Sequence, residues 1–292
     1  MTDWPSIAEQ ITAASGRRCA AGPVQPIGGG CINRAAVLGS GDQRLFVKLN
    51  EVGLLAMFEA EAAGLAEMAS TQSIRVPMPI CTGVAGLESF IAMDFIALGG
   101  GRSDAKAAGR QLAAMHRCRR ERFGWDRDNT IGSTPQPNPA YDDWVSFWAD
   151  QRLGFQLKLA AENGYRGRLQ QRGAQLLERF GALIDHDPAP SLLHGDLWGG
   201  NLGYAQDGAP VIFDPACYYG DREADLAMTE LFGGFGMHFR AAYEEAWPLA
   251  PGYPVRKQLY NLYHVLNHLN LFGGGYLSQA ENMVDQLLAE LC

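Results

Sequence analysis

The chain has 292 residues and a mass of 31.7 kDa, and 24 Lys and Arg against 32 Asp and Glu give a formal charge of −8. A hydrophobic content of 47% supports a packed core in one large or two small domains, and excludes a disordered or fibrous chain. A pI near 5.3 argues against binding nucleic acid through phosphate neutralisation, although a local backbone cradle or a metal ion can still bind phosphate.

The sequence also indicates the cellular compartment of the protein. No run of residues approaches the length of a transmembrane helix, and the first residues lack the basic and apolar blocks of a signal peptide. The six cysteines are scattered, without a CxxC pair or a histidine at zinc-ligand spacing. We therefore expect a reduced, cytoplasmic protein that has neither nucleic-acid nor membrane partners.

The first hundred residues have a β-rich pattern. A short helix is predicted over residues 7–15, ending at Gly16, and one main helix over residues 56–68. The predicted strands cover residues 24–27, 35–38, 44–49, 78–81 and 89–93. The glycines at residues 99–101 then mark a linker, after which the β-rich pattern of the sequence ends.

Helical patterns dominate beyond the linker. The longer predicted helices cover residues 104–119, 142–163, 166–184, 256–271 and 278–291. Two short apolar runs, residues 191–194 and 210–213, are interpreted as a small hairpin, and His116 as a core histidine. The layout is an α+β fold with a small β-rich lobe and a larger helical lobe, and we expect a nucleotide between them because ligands favour interdomain clefts.

The strongest chemical signal is the sequence HGDLWGGN at residues 194–201, followed by Asp214 at the end of a short apolar run. Asp196 and Asn201 are five residues apart in a loop, because Gly199 and Gly200 disfavour a helix there. Phosphoryl transfer needs a carboxylate that orients the nucleophile and oxygen ligands that hold a divalent metal. This spacing is similar to the catalytic loop and metal-binding aspartate of the protein-kinase-like fold.

Two further features favour phosphate binding. The glycines at residues 28–30 lie between two predicted strands, where they can fold over phosphates or form a plain hairpin turn. Lys48 lies in a hydrophobic strand, and a lysine that faces a core needs an anionic partner. The candidates for this partner are ATP phosphates and a carboxylate of the main helix, Glu59 or Glu61.

The remaining motifs extend over nearly the whole chain. They lie at residues 58–65, 131–138, 194–201, 214–228, 231–235 and 259–273. With them, the sequence resembles the fructosamine kinase (ketosamine-3-kinase) family, a branch of the protein-kinase-like fold related to aminoglycoside and choline kinases. The resemblance implies a bilobal fold with a nucleotide-binding lobe at residues 1–97 and a catalytic and substrate-binding helical lobe at residues 98–292.

The resemblance also implies roles for single residues. Asp196 is the expected catalytic base, Asn201 and Asp214 are the expected Mg²⁺ ligands, and Asp225 is expected to brace the catalytic loop. Lys48 is expected to bind the α- and β-phosphates of ATP and to pair with Glu61. The other nucleotide-binding candidates are the glycine-loop residues Gly28, Gly29, Gly30 and Cys31 and the adenine-binding hinge Met93, Asp94, Phe95 and Ile96.

The acceptor implied by the resemblance is the 3-hydroxyl of a ketosamine, a ribulosamine or fructosamine adduct of an amine or protein, whose phosphorylation promotes deglycation. Trp198 and His268 are the candidate substrate contacts. The alternatives are a kinase for another hydroxylated amine, such as an aminoglycoside or a choline-like alcohol, and a nucleotide-binding pseudokinase. The sequence does not choose between ribulosamines and fructosamines or between free and protein-bound acceptors. It does not give the oligomeric state.

Cys31 carries a separate hypothesis. A thiol among exposed backbone amides has a lowered pKa, and its oxidation would block the expected phosphate loop. Redox regulation at Cys31 and an inert thiol are the two interpretations of this position.

Overall fold

The computed structural model describes residues 1–28, 32–99 and 103–291. Within these ranges the helices are α1 (Trp4–Ser15), α2 (Leu55–Ser70), α3 (Ala105–His116), α4 (Trp144–Trp148), α5 (Gly154–Glu162), α6 (Arg168–Arg179), α7 (Glu223–Thr229), α8 (Met237–Ala246), α9 (Tyr253–Phe272) and α10 (Leu277–Ala289). The strands are β1 (Val24–Ile27), β2 (Arg34–Leu38), β3 (Leu45–Glu51), β4 (Pro79–Ala85), β5 (Glu88–Asp94), β6 (Asn129–Ile131), β7 (Thr134–Gln136), β8 (Ser191–Leu193), β9 (Leu202–Tyr204), β10 (Pro210–Ile212) and β11 (Tyr218–Gly220).

The chain divides into two compact units. The first contains Met1–Asp104 and Leu202–Pro215, and the second contains Ala105–Asn201 and Ala216–Cys292. The segment Leu202–Pro215 therefore packs with the first unit, although the predicted boundary after residue 97 assigned it to the helical lobe. The functional roles assigned to the two lobes stay predictions.

The first unit is built on a five-stranded antiparallel sheet in the described ranges, with the strand order β1-β2-β3-β5-β4. Helix α1 begins earlier than predicted because the side chain of Asp3 accepts a hydrogen bond from the Ser6 amide at 3.1 Å. Its Ile7 and Ile11 are buried in a core with Val47 and Phe90 of the sheet. This core holds β3 in the centre of the sheet.

The predicted hairpin of residues 191–194 and 210–213 is wrong. Strand β10 pairs with β9 through the tight turn at residues 205–209, where Gly208 has a φ of +84° and donates to the Ala205 carbonyl at 2.8 Å. Strand β8 pairs instead with β11 in the second unit. The short turn favours the nearer partner because closing a small loop costs less entropy than closing a long one.

The second unit is mainly helical in the part of the chain that the structure describes. The predicted helix over residues 142–163 is capped by Asp143, which accepts from the Ser146 amide at 2.7 Å, and is interrupted by a π-helical turn at Ala149–Leu153. Trp144 and Trp148 are buried and pack against Tyr260 of α9. None of the described helices is both long and apolar enough to cross a lipid bilayer.

Candidate active site

Lys48 forms the centre of a charged group in the first unit. It lies in β3 between Ala35 of β2 and Ile91 of β5, and is only 6% exposed. Its Nζ donates to Glu61 Oε1 at 2.6 Å and to the carboxylate of Asp214. Glu61 on α2 is thus its helix partner, whereas the alternative Glu59 is exposed.

Asp214 reaches Lys48 from a strained backbone position. It comes two residues after β10 and has a φ of +60°, in the left-handed region that non-glycine residues seldom adopt. Its side chain remains 48% exposed while one oxygen accepts from Lys48. Strain of this kind persists where the surrounding structure imposes it, and it is concentrated at functional sites.

The electrostatics of this group keep Lys48 charged. Burial alone would lower the pKa of Lys48, but the carboxylates of Glu61 and Asp214 outweigh burial and place this pKa above its ordinary value. Burial raises the pKa of Glu61; Lys48 opposes the rise and Asp214 adds to it. The result is a buried ammonium whose carboxylate partners are both in place.

The catalytic-loop motif lies in the second unit and depends on Gly195. This residue has a φ of +82°, and a Cβ atom built on it would lie 2.0 Å from the Ala216 carbonyl oxygen. The Ala216 amide in turn donates to the His194 carbonyl at 2.9 Å. Only glycine satisfies both the dihedral angle and this close approach, so the glycine of the HGD motif has a steric explanation.

Asp225 of α7 braces the same loop, as the resemblance implied. Its carboxylate accepts from the amides of His194 at 2.7 Å and Gly195 at 2.8 Å, and from His116 Nε2 at 3.1 Å. Burial acts to raise the pKa of Asp225, but these donors outweigh it and hold the pKa below its ordinary value. The loop backbone is therefore fixed by an ionised, buried carboxylate.

Asp196 and Asn201 are brought together within this loop. The Asn201 Nδ2 donates to the Asp196 carbonyl at 2.8 Å and lies 3.4 Å from its Oδ2. Because the amide nitrogen is the donor here, the amide oxygen is the atom of Asn201 that suits a cation. The two residues thus present oxygen atoms of the kind that Mg²⁺ prefers.

Two side-chain amides that the sequence pattern does not assign to the site hold the backbone near the loop. Asn129 Nδ2 donates to the Cys217 carbonyl at 2.8 Å, and Gln136 Nε2 donates to the Ala216 carbonyl at 3.0 Å. These bonds fix the backbone that contacts Gly195. Gln136 lies in the sequence motif at residues 131–138, but no local pattern in that motif indicates these partners.

The two candidate substrate residues have different surroundings. Trp198 is 40% exposed and its ring lies against Gly200, where a Cβ would be 2.3 Å from the indole. His268 on α9 is half-buried, and burial lowers its pKa. Its Nδ1 donates to the His264 carbonyl at 2.8 Å, which leaves Nε2 as the accepting atom of the neutral ring. Their roles as substrate contacts stay predictions.

The nucleotide-binding candidates are only partly described. Gly28 is exposed directly after β1, whereas Gly29, Gly30 and Cys31 lie outside the described residues, so the phosphate-loop and redox hypotheses stay predictions. In the expected hinge, Met93 and Asp94 still belong to β5, and the Asp94 amide donates to the Met78 carbonyl at 2.9 Å.

Phe95 and Ile96 follow the end of β5, which makes them the better hinge candidates. The adenine-binding role of the hinge stays a prediction.

Comparison with known proteins identifies the family of the chain. The sequence profile of the fructosamine kinase family matches residues 3–290. The chain belongs to the fructosamine kinase family.

Two relatives and one solved structure illustrate the membership, and a second solved structure shares the fold. A protein of Synechocystis assigned as a ketoamine kinase is 48% identical over 287 residues, covering 98% of this chain and 97% of the relative. The chloroplastic protein-ribulosamine 3-kinase of Arabidopsis thaliana is 45% identical over 269 residues, covering 91% of this chain and 82% of the relative.

A crystal structure assigned to a fructosamine-3-kinase from Haemophilus somnus has a TM-score of 0.89 at 31% identity and covers 98% of this chain and 97% of its own. The aminoglycoside phosphotransferase APH(4)-Ia has a TM-score of 0.62 at 15% identity, covering 97% of this chain and 98% of its own, a likeness of fold alone. The predicted protein-kinase-like α+β fold is confirmed.

Proposed function

We propose that this chain is an ATP-dependent kinase that phosphorylates the 3-hydroxyl of ketosamines, and so promotes deglycation of the amines or proteins that carry them. One observation carries the proposal: a member of the fructosamine kinase family retains every polar group that the reaction requires. The intact set of Lys48, Asp196, Asn201 and Asp214 argues against a pseudokinase. The printed names of the relatives, ketoamine kinase and protein-ribulosamine 3-kinase, support the acceptor class.

Each residue has a defined task in the proposed reaction. Asp196 orients the acceptor hydroxyl and takes its proton as the oxygen attacks the γ-phosphorus. The bond from the γ-phosphorus to the β,γ-bridging oxygen breaks, and ADP leaves with that oxygen. Lys48, kept charged by Glu61 and Asp214, neutralises charge on the remaining phosphates.

The oxygen donors Asn201 and Asp214 fit Mg²⁺, which favours carboxylate and carbonyl ligands. When bound, this ion supplies charge neutralisation at the phosphates. In this proposal the amide oxygen of Asn201 would be one ligand atom, because its amide nitrogen donates to the Asp196 carbonyl, and the half-exposed carboxylate of Asp214 would supply another. Met93–Ile96 and the glycine loop bind the nucleotide in this proposal, and Trp198 and His268 contact the acceptor.

A substrate panel tests the acceptor class. ADP release is measured with ribulosyl-lysine, fructosyl-lysine, an aminoglycoside and choline, using wild type and Asp196→Asn. We expect turnover with a ketosamine only, and a loss in kcat of about 10³-fold or more in the variant, since a positioned base contributes about 10²–10⁴-fold. ATP-analogue affinity should stay within about twofold. Turnover of the aminoglycoside or choline without turnover of ketosamines would reject the proposal.

The exposed Asp142→Asn is the matched control. It removes a carboxylate of the same type from the surface and should leave kcat unchanged. A comparable loss in this control would show that the Asp196→Asn effect does not report the base.

A further inference from the structure

A chain of buried hydrogen bonds continues from Asp225 away from the catalytic loop. The Asp225 Oδ2 accepts from the His194 amide and from His116 Nε2. On the other side of the imidazole, His116 Nδ1 lies 2.7 Å from the Tyr243 hydroxyl oxygen. That oxygen also lies 3.2 Å from Arg222 Nη1. His116 and Tyr243 are both fully buried.

The chemistry of the partners sets the direction of every bond in this chain. The carboxylate of Asp225 can only accept, so Nε2 of His116 carries a proton. In the neutral ring, Nδ1 is then an acceptor and the Tyr243 hydroxyl is its donor. The Tyr243 oxygen in turn accepts from Arg222, which can only donate. Every donor therefore meets an acceptor when His116 is the neutral Nε2–H tautomer.

The other protonation state fits these contacts less well. A protonated His116 would donate from both nitrogens, and Tyr243 would have to turn its own proton away from the ring while accepting from Arg222. Burial raises the pKa of Tyr243, with the nearby Arg222 opposing the rise, so the hydroxyl keeps its proton. Tyr243 thus complements the Nε2–H tautomer that the acceptor Asp225 requires.

The surrounding packing keeps these hydrogen-bonded side chains in place. Helix α3 carries His116 and helix α8 carries Tyr243, and the two helices approach so closely at Gly109 that a Cβ there would lie 2.3 Å from the Phe239 carbonyl oxygen. Arg222 stacks over the Trp247 ring at 4.0 Å and donates to the Trp247 carbonyl at 3.1 Å. Packing therefore restricts the side chains at both ends of this series of hydrogen bonds.

We propose that Tyr243 is a positioning residue for the reaction. Its hydroxyl donates to Nδ1 and so holds the His116 ring in the Nε2–H tautomer that Asp225 requires, and His116 then holds Asp225 in the orientation that sets the backbone of the loop carrying Asp196. Its kinetic test rests on the proposed function, and its structural test does not.

The first experiment removes one oxygen atom with Tyr243→Phe. We expect kcat to fall about tenfold while KM for ATP and for the acceptor stay within twofold, because the loss corresponds to one buried hydrogen bond and acts on the loop rather than on binding. Tyr253→Phe is the matched control, since Tyr253 is also buried and donates to Glu230 at 2.8 Å. It should keep kcat within twofold. A Tyr243→Phe kcat within twofold of wild type, or an equal loss in the control, would overturn the proposal.

The second experiment removes the tautomer requirement. In His116→Gln the side-chain amide can donate to Asp225 without any help from Tyr243. Adding Tyr243→Phe to this variant should change kcat by less than twofold. The same tenfold loss in both backgrounds would show that Tyr243 does not act through His116.

If Tyr243→Phe does not fold, His116→Gln is compared with His116→Leu instead. The glutamine variant should keep at least fivefold more kcat than the leucine variant, because only glutamine supplies a donor to Asp225. Equal values would reject the proposal.

Hydrogen exchange gives a readout that needs no substrate. In Tyr243→Phe the amides of His194 and Gly195, which donate to Asp225, should exchange faster, while those of α10 keep the wild-type rate. Unchanged exchange at the loop would contradict the inference even if the wild type turns over no ketosamine. A wild type without ketosamine turnover but with this exchange pattern would reject the proposed function and leave the inference standing.

Discussion

At the scale of single residues, the charge balance around Lys48 is the most specific feature of the first unit. The ammonium is buried between a helix carboxylate and the aspartate that follows β10. Such a group costs free energy unless every charge has its partner, because removing one partner leaves the others uncompensated. Lys48, Glu61 and Asp214 should therefore affect stability and activity in different ways.

Lys48→Met should reveal this difference. We expect the free energy of unfolding to fall by about 3 kcal/mol, because Glu61 keeps a buried charge without its cation. Adding Glu61→Gln should recover most of this stability but none of the lost kcat/KM for ATP. Urea denaturation and ADP release measure the two effects. A double variant that regains activity, or that is no more stable than Lys48→Met, would contradict the account; the exposed Lys158→Met is the control.

Residue-level prediction from the sequence succeeded where a local pattern carried the information. A lysine inside an apolar strand required an anion, and Glu61 is the anion that the structure provides. The bond from Lys48 to Asp214 was not predicted, since it depends on the hairpin of β9 and β10 packing with the first unit. His116 was correctly interpreted as buried, but its two partners come from different helices, which no local pattern reveals.

At the scale of elements, the catalytic loop depends on how closely its backbone approaches the segment that leads into β11. Gly195 allows this approach through its positive φ and its missing side chain. Sequence prediction located the loop and the flanking strands β8 and β10, but paired these two strands with each other. Apolar runs of three residues carry too little register information to choose a partner.

Gly195→Ala should separate strain from steric overlap. The alanine needs the left-handed region, which costs about 1–2 kcal/mol, and its Cβ overlaps the Ala216 carbonyl. We expect a larger loss of unfolding free energy than this and a fall in kcat of more than about 100-fold.

Gly164→Ala is the matched control for strain. Gly164 has a φ of +94° with open space around it, so its substitution should cost stability only, with kcat unchanged. Equal losses of stability and activity in the two variants would show that the close approach at Gly195 is unimportant.

At the scale of the whole molecule, a group of charges in the second unit should make stability depend on pH. His186 Nε2 lies 2.9 Å from Asp221, and this group also contains Glu223, Arg256 and Tyr260. Burial acts to lower the pKa of His186, but Asp221 and then Glu223 outweigh it and raise this pKa. The folded chain therefore binds this proton more tightly than the unfolded chain.

His186→Gln should test this sign. A raised folded pKa gives stability that is fully present below the unfolded pKa of about 6.5 and is lost as pH rises through the folded value. The wild type should thus exceed the variant most at pH 6, and by less at pH 8.5, in urea denaturation. A difference that does not vary with pH would contradict the assignment, and the exposed His238→Gln is the control.

Whole-chain features were the most predictable from the sequence. The motifs run through nearly the entire chain, and the family match covers residues 3–290. The division into units was less accessible, because the segment Leu202–Pro215 returns to the first unit after a long excursion through helices. Such a return depends on packing between residues far apart in the sequence.

The proposed reaction transfers the γ-phosphoryl group of ATP to the 3-hydroxyl of a ketosamine. Correlated phosphorus and proton NMR of the product formed from ribulosyl-lysine tests this most directly, because it identifies the carbon that carries the phosphate. We predict a phosphate ester coupled to the proton on carbon 3, followed by release of free lysine. A phosphate on another carbon, or ADP formation without any ester, would contradict the account.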